Sequence, residues 1–83
     1  MDKEKLYQRI KSGSRNNIRF GDFTSLIETF GFSLIRTNGS HHSFTKPDIP
    51  RLVVIQPNKG QAKAYQVKQF LELIQLYQLK LED

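Results

Sequence analysis

The chain contains no cysteine, and this absence excludes disulfide bonds and thiolate metal sites. No run of apolar residues comes close to the roughly 20 that a membrane-spanning helix needs, and the first residues lack the apolar core of a signal peptide. A glycine-rich phosphate-binding loop, the nucleophile elbow of serine hydrolases and paired carboxylates near the histidines are missing as well. We therefore expect a cytoplasmic protein that uses none of these sites.

Basic residues outnumber acidic ones, and they are unevenly distributed. Thirteen lysines and arginines against eight aspartates and glutamates give the 83 residues a formal charge of +5. Residues 1–20 contain six basic and two acidic side chains, and residues 46–63 contain four and one. With 37% hydrophobic residues, the chain can form one modest core. A small basic domain is expected to bind a polyanion, and nucleic acid is the first candidate.

Three segments have the spacing of amphipathic helices. Apolar residues recur every three or four positions in residues 3–11, in residues 20–30 and from residue 65 to about residue 79. The first of these helices belongs to a predicted N-terminal arm and linker, residues 1–17, that we expect to be loosely attached. The other two belong to a single domain, residues 18–83. The sequence leaves open whether the arm is a disordered tail or an additional phosphate-binding segment.

Three further segments, residues 32–37, 40–45 and 51–56, are predicted strands, the last rich in β-branched residues. Asn38 and Gly39 both tolerate a positive φ and predict a tight hairpin turn between the first two strands. The two proline-containing segments that follow the second and third strands are predicted loops, because proline cannot donate to a sheet ladder.

The predicted order after the arm is helix, three strands, helix (α-β-β-β-α). Because the connections between the strands are too short for crossovers, the sheet should be antiparallel. Two helices can cover one face of such a sheet and leave the other face in solvent. We therefore predict an α+β fold with the layout of double-stranded-RNA-binding domains, which contact phosphates and 2′-hydroxyls more than bases.

The two histidines of the chain, His41 and His42, follow directly after the predicted turn. Side chains alternate between the faces of a strand, so His42 should share a face with Phe44, and His41 should lie on the opposite face. If Phe44 faces the core, His41 is accessible to a substrate, and an imidazole titrates near neutral pH. A zinc site is not expected, since adjacent histidines on a strand point to opposite faces and no cysteine is present.

Four short motifs stand out: Phe-Gly-Phe (30–32), Gly-Ser-His-His-Ser-Phe (39–44), Leu-Val-Val-Ile-Gln-Pro-Asn-Lys-Gly (52–60) and Lys-Ala-Tyr-Gln-Val (63–67). With these motifs the sequence resembles the HicA family of toxins from bacterial type II toxin-antitoxin systems, over roughly residues 18–79. The segment with both histidines is the most specific part. Two positions depart from the family pattern: Ser43 replaces a common aliphatic residue, and Ala64 replaces a frequent proline.

The resemblance implies a small ribonuclease that cleaves mRNA without metal or other cofactor, arrests growth, and is blocked by a bound antitoxin of the HicB type. The family's catalytic histidine lies three residues before the strand aromatic, which corresponds to His41. His42 is the second candidate, because some relatives differ by one residue around this turn.

RNA carries its own nucleophile, the 2′-hydroxyl, so an enzyme needs mainly a base, an acid and cations near the phosphate. We therefore predict His41 as the general base or acid. The predicted RNA-binding residues are Gly39, Ser40, Lys46, Lys59 and Lys63. Two alternatives are a non-catalytic RNA-binding module of the same fold and a decayed toxin that only binds its antitoxin.

Overall fold

The computed structural model describes residues 2–82. Its helices are α1 (Lys3–Lys11), α2 (Phe20–Thr29) and α3 (Ala64–Tyr77). Its strands are β1 (Ser33–Asn38), β2 (His41–Thr45), β3 (Val53–Ile55), β4 (Pro57–Asn58) and β5 (Gln61–Ala62). None of the helices within residues 2–82 is long and apolar enough to cross a membrane.

The central sheet has the order β1-β2-β3, and both pairs of strands are antiparallel. Phe44 of β2 lies opposite Val53 of β3, and both are buried together with Ile55 in the same core as the apolar faces of α2 and α3. Val54, between the two buried residues of β3, is 45% exposed on the opposite face. The alternation along β3 therefore confirms the predicted α+β class, with a three-stranded antiparallel sheet that has one core face and one open face.

Phenylalanine side chains form the centre of the core. The ring of Phe70 on α3 makes edge-to-face contacts with Phe23, Phe30 and Phe32, at centroid distances of 5.8, 5.7 and 5.6 Å. Such contacts add roughly 0.5–1.5 kcal/mol per pair to the gain from burial. The predicted apolar stripes of α2 and α3 are thus core, and they fix the two helices against each other.

The helix α1 has the predicted bounds, but it is packed rather than loosely attached. Its Leu6 and Ile10 are 4% and 2% exposed and belong to the common core. The ring of Tyr7 meets the edge of Phe30 at a centroid distance of 5.1 Å. A nine-residue helix is marginal in isolation, so its stability comes from these contacts with α2 and α3, which the sequence pattern does not reveal.

The segment after β3 forms a hairpin of two short strands, β4 and β5, where a loop was predicted. Lys59 and Gly60 in its turn both have positive φ, 53° and 78°, as a type I′ turn requires. The N–H of Ala62 donates to the carbonyl of Ile18 (2.8 Å), and the carbonyl of Gly60 accepts from the N–H of Phe20 (3.0 Å). The hairpin therefore holds the residues before α2 next to the residues before α3.

Candidate nucleic-acid interface

The turn between β1 and β2 sets the position of both histidines. Asn38 and His41 pair across the two strands, so the central residues of the turn are Gly39 and Ser40. Gly39 has a φ of 63°, and a glycine with positive φ at the first central position is typical of a type II′ turn. The predicted hairpin is confirmed, but the turn lies one residue later than the Asn-Gly dipeptide indicated. Strand β2 consequently begins at His41.

The two histidines have different surroundings, as the alternation along β2 predicts. His41 is exposed on the open face of the sheet. His42 is half-buried on the helix-covered face, where its ring packs against Phe20 at the start of α2, with a centroid distance of 4.9 Å. Its Nδ1 lies 2.9 Å from the carbonyl oxygen of Ser40. Because a carbonyl only accepts, Nδ1 carries the hydrogen, and Nε2 of a neutral His42 is left as an acceptor.

Helix α3 begins beside the same end of the sheet. His42 lies opposite Ile55, so the register continued by one residue brings His41 next to Gln56. The backbone N–H of Gln56 donates to Oε1 of Gln66, a buried side chain in the first turn of α3, at 3.2 Å. This bond ties the start of α3 to the end of β3, and thereby to the histidine end of the sheet.

Three cationic residues lie on the segments next to this end of the sheet. Lys63 is the N-cap residue of α3, and Lys59 is exposed in the β4–β5 turn. Arg19, which sequence analysis missed, is the N-cap residue of α2 and pairs with Gln61. Neither helix start has a side-chain cap within the described part of the chain, and the N-terminus of a helix carries a partial positive charge. A basic residue directly before a predicted helix was the signal that could have indicated Arg19.

Lys46 is not brought to the histidines. It follows the last residue of β2, five positions after His41, which is roughly 16 Å along an extended strand. Its Nζ lies 2.8 Å from Oε2 of Glu82 in an ion pair. Of the three predicted phosphate-binding lysines, Lys59 and Lys63 therefore lie in the segment that continues from the end of β3 next to the histidines, whereas Lys46 lies at the opposite end of β2.

Three kinds of group lie on the segments around the histidine end: an exposed imidazole, cationic side chains and two helix starts without a side-chain cap. An imidazole can accept and return a proton near neutral pH, and fixed cations stabilise charge that develops on a phosphate. Within residues 2–82, no three His, Asp or Glu side chains come together in a group that could hold a metal ion. The fold and the site thus define a small α+β protein whose basic end combines a histidine with groups suited to phosphate.

Comparison with known proteins gives the family. The family described as the HicA toxin of bacterial toxin-antitoxin systems matches residues 20–76, which is more than half of the chain. The chain therefore belongs to the HicA family of toxins, which are in general ribonucleases and have an antitoxin partner. The match begins at α2, includes both histidines and leaves α1 outside. Comparisons with curated proteins and with solved structures found no significant match.

Proposed function

We propose that this protein is a metal-independent endoribonuclease that cleaves mRNA in the cytoplasm and is neutralised by a HicB-type antitoxin. The observation that carries the proposal is the position of His41, which is exposed on the open face at the start of β2 and lies next to the end of β3, from which the segment with Lys59 and Lys63 continues. Membership of the HicA family supports the toxin role. In this proposal the RNA strand passes around this end of the sheet and contacts both the imidazole and the two lysines.

In the proposed reaction, the imidazole of His41 takes the proton of a ribose 2′-hydroxyl. The 2′-oxygen then attacks the adjacent phosphorus, and the bond from phosphorus to the 5′-oxygen breaks. The leaving oxygen takes a proton from water, which the exposed site admits, and the protonated imidazole of His41 returns its proton to the hydroxide that remains. Lys59 and Lys63 stabilise the added negative charge on the phosphoryl oxygens. The products are a 2′,3′-cyclic phosphate on one fragment and a 5′-hydroxyl on the other.

The turn residues have a supporting role in this proposal. Gly39 adopts the positive φ that presents His41 at the start of β2, and the carbonyl of Ser40 orients His42. Lys46 has no role in our proposal, because its ion pair with Glu82 lies at the far end of β2.

A chimeric substrate tests the reaction directly. We expect the purified protein to cleave a single-stranded RNA in EDTA as fast as without it, and to leave cyclic phosphate ends. Replacing the ribose on the 5′ side of the cleaved bond by 2′-deoxyribose should abolish cleavage at that bond, because the nucleophile is removed. The ends and rates are read by mass spectrometry and gel electrophoresis. Loss of cleavage in EDTA with recovery in Mg²⁺, or 3′-hydroxyl ends, would contradict the mechanism, and intact but bound RNA would favour the non-catalytic RNA-binding module.

The antitoxin proposal rests on the open face of the sheet. Val54 of β3, the strand next to the one that carries His41, is 45% exposed, and Leu52, directly before β3, is 48% exposed. A protein that covers these apolar side chains would also exclude RNA from the imidazole.

We expect growth arrest when the protein is expressed alone, rescue by co-expression of a HicB-type protein, and loss of RNA cleavage when that protein is added in equimolar amount. A His41→Ala protein should bind the partner equally well and be harmless. If the parent protein were also harmless while it bound the partner, it would be a decayed toxin.

A further inference from the structure

A polar groove lies at the start of α3, beside the histidine end of the sheet. One wall is the segment that joins α1 to α2, the other wall is the start of α3, and the β4–β5 hairpin lies between them. Its volume is about 490 Å³, within the roughly 300–1,000 Å³ of sites for small ligands. The polar and aromatic side chains that line it are Asn16, Asn17, Asn58, Gln61, Lys63 and Tyr65.

The ring of Tyr65 forms an exposed aromatic surface in this groove. Tyr65 is 56% exposed, although aromatic side chains elsewhere in residues 2–82 are buried or half-buried. Its hydroxyl oxygen accepts a hydrogen bond from Nε2 of Gln66 at 3.3 Å. Gln66 is itself fixed by the N–H of Gln56. The ring is therefore held in place while much of its surface stays in solvent, as a base-stacking platform requires.

The other lining groups can read the edge of a base. Asn16, Asn17, Asn58 and Gln61 are exposed and carry carboxamides, which offer donors and acceptors at once. The groups that bind unstacked RNA bases are such polar groups together with aromatic rings. Among the described residues that line the groove none is acidic, and Lys63 supplies a cation for the phosphate.

The joining segment is held in place by α1. The guanidinium of Arg9 donates to Oγ of Ser14 (3.2 Å) and to the carbonyl of Asn16. The bond between Ile18 and Ala62 fixes the same segment to β5. The two walls are thus positioned before any ligand binds, which lowers the entropy lost on binding.

We propose that this groove binds one unstacked base of the RNA strand that is cleaved at His41. The base stacks on Tyr65, its polar edge bonds to the carboxamides, and Lys63 contacts the neighbouring phosphate. The identity of the ligand as RNA rests on the proposed function. Two of the lining residues, Asn16 and Asn17, lie outside residues 20–76, the part of the chain that the family model matches.

The test measures RNA binding without cleavage, in a His41→Ala background. A labelled single-stranded RNA is scanned with an abasic ribose, one position at a time, and affinity is measured by fluorescence anisotropy. We expect the abasic ribose at one position to weaken binding about tenfold, because a stacked base is lost. Adding Tyr65→Ala should weaken binding of the intact RNA by a similar factor and make the abasic substitution at that position neutral. Tyr65→Phe should bind within about threefold of the background protein, because the ring is kept.

Two further variants distinguish binding of a base in the groove from a general loss of affinity for RNA. Leu76→Ala removes a side chain that is 65% exposed near the other end of α3, and it should leave affinity and the abasic profile unchanged. Asn58→Ala should narrow the difference in affinity among the four bases at the sensitive position. The groove proposal is overturned if Tyr65→Ala binds like the background protein, or if the abasic effect persists in it. A parent protein that fails to cleave RNA, while its binding still depends on Tyr65, overturns the proposed catalysis and supports the groove.

Discussion

Replacing His41 by alanine is expected to lower the rate of RNA cleavage by about 10²- to 10⁴-fold, the usual contribution of a positioned acid or base. The side chain is exposed on the open face of the sheet, so the free energy of unfolding should change by no more than about 0.5 kcal/mol. The affinity for a non-cleavable 2′-deoxy substrate should also be retained. Single-turnover cleavage in EDTA, urea denaturation and anisotropy measure the three quantities on one preparation. Retained cleavage in a folded His41→Ala protein would remove His41 from the mechanism.

His42 provides the matched control, and its variants separate packing from proton transfer. His42→Ala loses the contact with Phe20 and the bond to Ser40, so we expect it to be destabilised by about 1 kcal/mol. His42→Phe keeps an aromatic ring against Phe20 but has no nitrogen, and it should cleave within about tenfold of the parent protein. If His42→Phe were inactive and His41→Ala active, the oriented Nε2 of His42 would be the base, and the roles of the two histidines would be exchanged.

The orientation of the histidines was predictable because it depends on local geometry. Strand alternation needs only one anchored side chain, and Phe44, which is 1% exposed, provides it. The same strand geometry could have excluded Lys46, since five residues of extended chain separate it from His41. Lys46 is close to the histidines in number, but an extended strand keeps such residues apart.

The groove and the β4–β5 hairpin were missed for a different reason. Two-residue strands are too short to show an alternating pattern, and the prolines on either side of β3 made residues 56–61 look like a loop. The groove is built from the α1–α2 segment, the hairpin and the start of α3, which are distant in sequence. Periodicity reports which face of one element is buried, and it does not report which elements meet.

The second large effect, a loss of stability, is expected when Phe30 is replaced, because this residue attaches α1 to the core. Phe30 has no exposed surface and contacts both Tyr7 of α1 and Phe70 of α3. Phe30→Ala should lower the free energy of unfolding by about 3–5 kcal/mol, through lost burial and the cavity that remains. A domain of this size has roughly 4–12 kcal/mol in total, so a substantial fraction of the variant could be unfolded at 37 °C. Urea denaturation followed by circular dichroism gives the change, with Leu76→Ala as the exposed control that should stay within about 0.5 kcal/mol.

A double-mutant cycle between Tyr7 and Phe30 then shows whether α1 unfolds with the rest of the domain. Because Phe30→Ala could be too unstable to measure, Phe30→Leu is combined with Tyr7→Ala. The edge-to-face contact at 5.1 Å predicts a coupling energy of about 0.5–1.5 kcal/mol and a single unfolding transition. If residues 1–17 were instead an arm that behaves independently of residues 18–83, the two substitutions would be additive and Tyr7→Ala alone would leave the urea midpoint unchanged. In that case the basic side chains of α1 would be mobile, whereas a coupled α1 holds Arg9, and with it the wall of the groove at Asn16, in a fixed position.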